Sequence, residues 1–307
     1  MKIINDVQKI NSTFENVVLT VGSFDGVHKG HQTILQQVVD TARECKGTPA
    51  VLTMEPHPRE FFAPDNAPNL LTSLEKKAAL LEEFGVEVLF ILPFDDTTAN
   101  MIAEDFIQHI LYEKCQASHV IVGHDCRFGQ GAKGDFDLLQ AWGKKLKIEV
   151  DEISQVVVES ERVSSTLVRE RVLQGDLETV KKLLGRRYSV TGTVSTGRGI
   201  GEQLGFPTAN VQPDHSAIPA QGVYFAETIV DGVAMPSAVN IGIAPTIRHA
   251  DVTIETHILE FKDDIRGKEI EIVFHERIRP EKKFSSKEAL IEQIAADVQA
   301  AKQFFGI

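Results

Sequence analysis

Hydrophobic periodicity changes once along this chain, near Leu184-Gly185, and that change restricts it to a fold in two parts. Upstream, short apolar runs alternate with helix-like segments. Val17–Val21, Ala50–Met54, Val86–Leu92, His119–Val122 and Ile148–Val150 read as strands. Ile34, Leu35, Val38, Val39 and Ala42 fall on one helical face, with Gly47 as a stop. Thr72 and Glu75 have capping-box spacing ahead of Leu74, Ala78 and Leu81; Phe84-Gly85 ends that helix, and Met101–Leu111 reads as another. Nearly continuous apolar strands between amphipathic helices imply a parallel sheet covered on both faces. Ligands of such sheets sit beyond the carboxyl ends of the strands, which points to the loops after Val21, Met54, Leu92 and Val122.

Downstream, from Tyr188 to Phe274, the segments read as strands punctuated by Gly and Pro. Gly222–Val230 runs into Asp231-Gly232, a strong hairpin signal. Thr253–Phe261 and Glu269–Phe274 are further strands, and in the second Ile270, Ile272 and Phe274 alternate with Glu269 and Glu271. Ser285 and Glu288, again at capping-box spacing, open a final helix. The length of 307 residues suits two domains, each able to bury its own core.

Charge narrows the partners. Lys plus Arg is 32 against 44 for Asp plus Glu, a net charge of −12. A protein that coats nucleic acid needs a basic face, so that class is excluded, while a phosphate held in one local pocket is not. Cys45, Cys115 and Cys126 form no CxxC and are odd in number, which fits ordinary thiols in a reducing compartment. The N-terminus lacks a signal pattern, and the longest apolar stretch, Val88–Phe94, contains Pro93 and is too short to span a bilayer. A soluble cytoplasmic protein with small-molecule partners, no nucleic acid and no membrane is expected; oligomeric state is left open.

The most informative stretch is Gly22-Ser-Phe-Asp-Gly-Val-His-Lys-Gly-His31, between the first strand and the first helix. Its glycines allow backbone to approach a ligand, and the following helix start offers N–H groups and positive dipole to an anion. His28 and His31, three residues apart, can face the same phosphates, and histidine can donate hydrogen bonds and carry charge near neutral pH. Taken alone, HxxH also suits a turn bearing two surface histidines. A metal site fits less well, since no third ligand lies nearby in sequence.

GSFDGVHKGH resembles the GxFDGxHxGH signature in the adenylyltransferase half of bacterial bifunctional riboflavin kinase/FAD synthetases. Met54-Glu-Pro-His-Pro58 resembles that family's FxPHP segment, and Leu70-Leu-Thr-Ser-Leu-Glu-Lys76 its segment opening LLTS. Val122–Gly129 resembles its VGxDFxFG loop, and Val163–Arg169 its ISSTxIR motif. Gly197–Asn210 resembles the riboflavin kinase pattern GxxxGxxxGFPTAN. The resemblance spans essentially the whole chain. It implies an α/β fold: an N-terminal Rossmann-like nucleotidyltransferase domain over residues 1–183, then a riboflavin kinase-like antiparallel barrel with a C-terminal helix over residues 184–307. The implied activities are phosphorylation of riboflavin to FMN by ATP and adenylylation of FMN by a second ATP to FAD and pyrophosphate.

Roles then follow by resemblance. In the first half, His28 and His31 would hold ATP phosphates on a loop that includes Gly22, Phe24, Asp25 and Gly30, with Asp25 either contacting the ligand or keeping the loop's shape. Ser164, Ser165, Thr166 and Arg169 would close on the phosphates, although Ser-Ser-Thr alone also suits a helix cap. Asp125 would place a substrate or magnesium, or cap its own loop; His57 would line the flavin pocket or form a stiff corner; Phe128 would meet the flavin. In the second half, Gly197, Gly201, Gly205, Pro207, Thr208 and Asn210 would bind ATP, with Thr208 and Asn210 holding Mg2+, a cation suited to hard oxygen donors. Glu255, matching the family's catalytic glutamate, shares a strand face with His257, Leu259 and Phe261 and would act as general base on the riboflavin 5′-hydroxyl. Four positions depart from the family pattern: Cys126 for Phe, Glu202 for a basic residue, Ala244 for Arg and Arg266 for Tyr.

Overall fold

A computed structural model describes residues 1–197, 200–214, 217–245 and 250–307. Arg198 and Gly199 of the glycine-rich stretch, and Thr246, lie outside the described residues. The chain divides into two compact units, residues 1–68 with 74–164, and residues 69–73 with 165–307.

The first unit is built on strands β1 (Lys2–Ile4), β2 (Val17–Val21), β3 (Thr48–Glu55), β4 (Val88–Pro93), β5 (Ala117–Gly123) and β6 (Glu149–Ile153). They form one sheet in the order β1-β4-β3-β2-β5-β6, parallel throughout. Its helices are α1 (Lys29–Cys45), α2 (Pro58–Phe62), α3 (Leu74–Glu83), α4 (Asp96–Ala99), α5 (Ala103–Asp105) and α6 (Phe136–Leu146). A two-stranded hairpin, β7 (Val157–Val158) with β8 (Glu161–Arg162), follows. The central strands are buried on both faces. Val51 and Leu89 pack with Leu35 of α1 and Leu81 of α3, while Leu19, Leu52, Phe90 and Val120 form the opposite core. Each fully buried Leu or Phe contributes roughly 1.5–3 kcal/mol.

Three local details differ from the periodicity reading. The segment expected as one helix over Met101–Leu111 is the short α5 followed by a π-helix, Phe106–Lys114, which turns Phe106, Ile107 and Ile110 into the core. Helix α1 ends on Lys46 in the left-handed conformation rather than on Gly47. Gly47 is needed for space, because a Cβ there would lie 2.0 Å from the Asn16 carbonyl oxygen. Helix α3 begins at Leu74, one residue later than a box on Thr72 implies.

The second unit opens with α7 (Ser165–Gln174) and α8 (Leu177–Leu184). Strands β9 (Ser189–Ser195), β10 (Ala209–Pro213), β11 (Gly222–Val230), β12 (Val233–Pro245), β13 (Ala250–Ile258) and β14 (Glu269–Arg279) close a barrel in the order β10-β13-β12-β11-β14-β9, antiparallel throughout. A short helix, α9 (Ile200–Gln203), precedes β10. Asp231 (φ 51) and Gly232 (φ 81) turn β11 into β12, as a two-residue hairpin of the I′ type requires. Alternation places Tyr224, Ala226, Thr228 and Val230 inside and Phe225 outside. Helix α10 (Lys287–Phe305) packs on that outer face, where Phe304 stacks on Phe225 at 4.4 Å. Its cap is Ser286, whose hydroxyl accepts from Ala289 N–H, so the Ser285–Glu288 box is off by one. The strand expected through Phe261 stops at Ile258, leaving Glu255 and His257 as its outward pair.

Candidate functional site

In the first unit, a cavity of about 540 Å³ opens at the carboxyl ends of the strands, lined from the loops after Val21, Met54, Pro93 and Gly123. The loop after β2 is held in costly backbone. Phe24 (φ 49) and Val27 (φ 40) are both left-handed and both fully buried, a conformation worth about 1–3 kcal/mol of strain each. Gly22 N–H donates to the Leu52 carbonyl at 3.1 Å, and Gln32 Nε2–H donates to the Val27 carbonyl at 2.9 Å, which pins both sides of the turn. Asp25 is buried within it.

His28 caps α1, and its Nδ1 accepts from the His31 backbone N–H at 3.2 Å, so its ring proton sits on Nε2. Gly30 lies between the two histidines, against the His28 ring. The His31 ring stacks on His28 with centroids 3.7 Å apart and meets the Phe24 ring at a 48° tilt, 4.9 Å away. Burial, then the charges of His28 and Lys77, hold His31 well below the usual imidazole range. Its Nδ1 is buried and has no hydrogen-bond partner among the described residues, a state that a ligand oxygen or donor would relieve. Lys77 is itself buried; desolvation lowers its ammonium, opposed by the charges of Glu55, Asp25 and Glu60. Sequence reasoning missed Lys77, though a signal existed: it shares the core-facing helical positions of Leu74, Ala78 and Leu81.

Phe128 lines the cavity with its ring 5.4 Å from Phe106. Cys126 lines it too, and burial, with Asp125 adding to the effect, pushes its thiol up to about 12. Asp125 is exposed at the mouth and pairs with the guanidinium of Arg162 on β8, a partner no motif announced. His57 caps α2 in a reciprocal capping box with Glu60, and from that corner Pro58 and Phe62 line the cavity. Ser164 is the last residue of the first unit; Ser165, Thr166 and Arg169 lie in α7 of the second, where Arg169 Nε–H donates to the Asn69 carbonyl at 2.9 Å.

In the second unit, two cavities of about 460 and 290 Å³ share Thr208 in their walls. The larger is the more polar of the two and holds Gly197, Pro207 and Asn210; the smaller is mostly apolar, with Phe206, Leu290 and Ile294 around Glu255 and His257. The loop glycines serve close approach. A Cβ at Gly197 would lie 1.9 Å from Asn210 Nδ2, and one at Gly201 would lie 2.8 Å from Thr208 Oγ1. Gly205 turns the chain at φ 87 just before Phe206.

Strand register completes the arrangement. Glu255 stands opposite Asn210 on β10 and opposite Asn240 on β12, so the three form a row across the barrel's outer face. Asn240 was not singled out from sequence, because its pairing is visible only once the strands close. The same holds for the buried fork of Arg279 on Asp297, with Nε to Oδ1 at 3.0 Å and Nη2 to Oδ2 at 2.6 Å, which ties α10 over the smaller cavity. Two of the departures, Glu202 and Arg266, face the larger cavity. Arg266 forks onto Asp264 and holds that carboxyl down to about 2.

Among the described residues no group of three His, Cys, Asp or Glu side chains is placed to hold a metal. Thr208 and Asn210 supply neutral oxygen donors beside a polar cavity, a set that fits a cation arriving with nucleotide phosphates. No helix among the described residues is long and apolar enough to cross a membrane.

Two family models match the chain, FAD synthetase over residues 10–167 and riboflavin kinase over residues 184–305. A bifunctional riboflavin kinase/FMN adenylyltransferase from Pseudomonas fluorescens is 37% identical, with 98% of this chain and 97% of that protein covered. The protein of the same name from Escherichia coli K12 is 36% identical, covering 100% of this chain and 99% of its own. A crystal structure described as a macrolide-efflux protein from Streptococcus pneumoniae superposes with a TM-score of 0.87 at 28% identity, covering 98% of both chains.

Proposed function

The chain belongs to the family of bifunctional riboflavin kinase/FMN adenylyltransferases, and from that membership we propose how its residues divide the two reactions. It phosphorylates riboflavin with ATP to FMN, and it joins FMN to the AMP part of ATP, giving FAD and pyrophosphate. The division between the two halves falls near Leu184, a boundary supported by the start of the riboflavin kinase match.

In the kinase half, riboflavin enters the apolar cavity and the nucleotide takes the polar one. Glu255 takes the proton of the 5′-hydroxyl as its oxygen attacks the γ-phosphorus of ATP, the bond from that phosphorus to the β,γ-bridging oxygen breaks, and ADP leaves. The observation that carries this reading is Thr208, common to both cavities and two residues from Asn210, with Asn210 beside Glu255 in the strand row. Thr208 and Asn210 would hold Mg2+, which when bound neutralises phosphate charge. Gly197, Gly201, Gly205 and Pro207 shape the backbone that lets those two side chains reach the nucleotide. Arg266, paired there with Asp264, and the anionic Glu202 set the charge of that cavity, so the departures tune nucleotide affinity more than chemistry.

In the adenylyltransferase half, His28 Nε2–H and His31 bind the ATP phosphates at the start of α1, stabilising charge as the FMN phosphate attacks the α-phosphorus. The orphaned Nδ1 of His31 supports this assignment. The strained loop through Gly22, Phe24, Asp25 and Gly30 fixes both rings. Ser164, Ser165, Thr166 and Arg169 bind ATP phosphates by family resemblance. Phe128 and Asp125 meet the flavin; His57 acts through the corner that presents Pro58.

The test is direct. The protein is incubated with riboflavin, ATP and magnesium, and the flavins are separated by chromatography. Both FMN and FAD are expected. FAD only from supplied FMN would leave the kinase residues without their role.

A further inference from the structure

We infer that His257 is a positioning residue for phosphoryl transfer, holding Phe206-Pro207-Thr208 against the strand that carries Glu255; this rests on the roles given above to Thr208 and Glu255. Two side-chain contacts and the strand register tie His257 to that segment. His257 Nδ1 lies 2.7 Å from the Pro207 carbonyl oxygen, and since a carbonyl only accepts, Nδ1 carries the proton and donates. The ring stands edge-on to Phe206, with centroids 5.9 Å apart. The β10–β13 register pairs Ala209 with Thr256, so Thr208 comes opposite His257 one step beyond the paired residues.

The segment needs such a hold. Pro207 has no N–H to donate, and β10 begins only at Ala209. Upstream, the Phe206 N–H donates to the Gly201 carbonyl at 2.8 Å, which fixes it to its own loop and not to the barrel. His257 therefore joins the loop to the strand face at the point where the two cavities meet. Both Glu255 and His257 point outward from β13, two residues apart, so the side chain that sets Thr208 shares its strand with the proposed base.

Asparagine and glutamine separate this role from simple packing. The Asn amide nitrogen takes the place of Nδ1 and can still reach the Pro207 carbonyl; the Gln amide nitrogen takes the place of Nε2 and cannot. Full-length His257→Asn and His257→Gln are compared for riboflavin phosphorylation, for FMN adenylylation, and for amide hydrogen exchange over residues 201–212 without ligand. His257→Gln should lose about 10- to 100-fold in kcat for phosphorylation, the scale of a misplacement near 1 Å, with riboflavin KM little changed. Its 201–212 segment should exchange faster. His257→Asn should keep most of both properties, and adenylylation should be normal in both. Equal kcat in the two variants, or a loss in His257→Gln without faster exchange, would overturn the inference. If Thr208→Ala and Glu255→Gln also retained normal phosphorylation, the underlying assignment would fail instead.

Discussion

In the parallel-sheet unit the groups proposed to act on phosphate stand on irregular backbone, whereas in the barrel they stand on strands. His28 and His31 depend on a loop with two left-handed residues and on the start of one helix. Glu255, Asn210 and Asn240 depend on ladder register across three strands. The first arrangement stores strain and buries polar atoms, so it is tuned by burial and charge. The second uses unstrained backbone, so it is tuned by which side chains the register brings side by side. Under the proposed assignment, the same task, stabilising charge on a transferring phosphate, falls to two different kinds of scaffold within one chain.

The largest expected effect sharpens this contrast in the barrel. Glu255→Gln keeps the shape of the row and removes its base, so riboflavin phosphorylation should fall by about 10²- to 10⁴-fold with riboflavin affinity similar. Adenylylation of supplied FMN on the same preparation should be unchanged; near-normal phosphorylation would remove the base from the mechanism. In the other unit, His31→Ala should lower FAD formation by roughly 10²- to 10³-fold while FMN still forms. An equal fall in both products from a folded variant would break the comparison.

Asp297→Asn leaves Arg279 without its charge partner under α10. Breaking a buried pair costs on the order of 3 kcal/mol, so the barrel should melt earlier, by calorimetry, with the first unit unaffected. The smallest effect is a pH dependence of the sheet unit. His31 titrates below 6.5 when folded and near 6.5 when unfolded. Between those values the unfolded chain binds a proton that the folded chain refuses, so stability falls as pH drops through that window. His31→Gln should flatten this acid loss; an unchanged slope would mean that His31 is not the group responsible.

The sheet unit was legible because its strands are long apolar runs and its motif lies within ten consecutive residues. The strand β1 was not, since three residues with mostly exposed side chains leave no period to read. The π-helix was read as an ordinary one because the same apolar residues satisfy both spacings over two turns. In the barrel, Glu255, Thr208 and Asn210 were legible by resemblance. Asn240 with Glu255, Arg279 with Asp297, and the bond from His257 to Pro207 join residues 15 or more positions apart, and only closure of the barrel brings them together.

Mixing the two site variants tests the central claim, that the two reactions use separate sites, most directly. Glu255→Gln supplies a working adenylyltransferase and His31→Ala a working kinase. Each alone should make little FAD from riboflavin and ATP, and an equal mixture should restore it as FMN passes through solution from one chain to the other. A mixture that makes no more FAD than the better single variant would contradict the account.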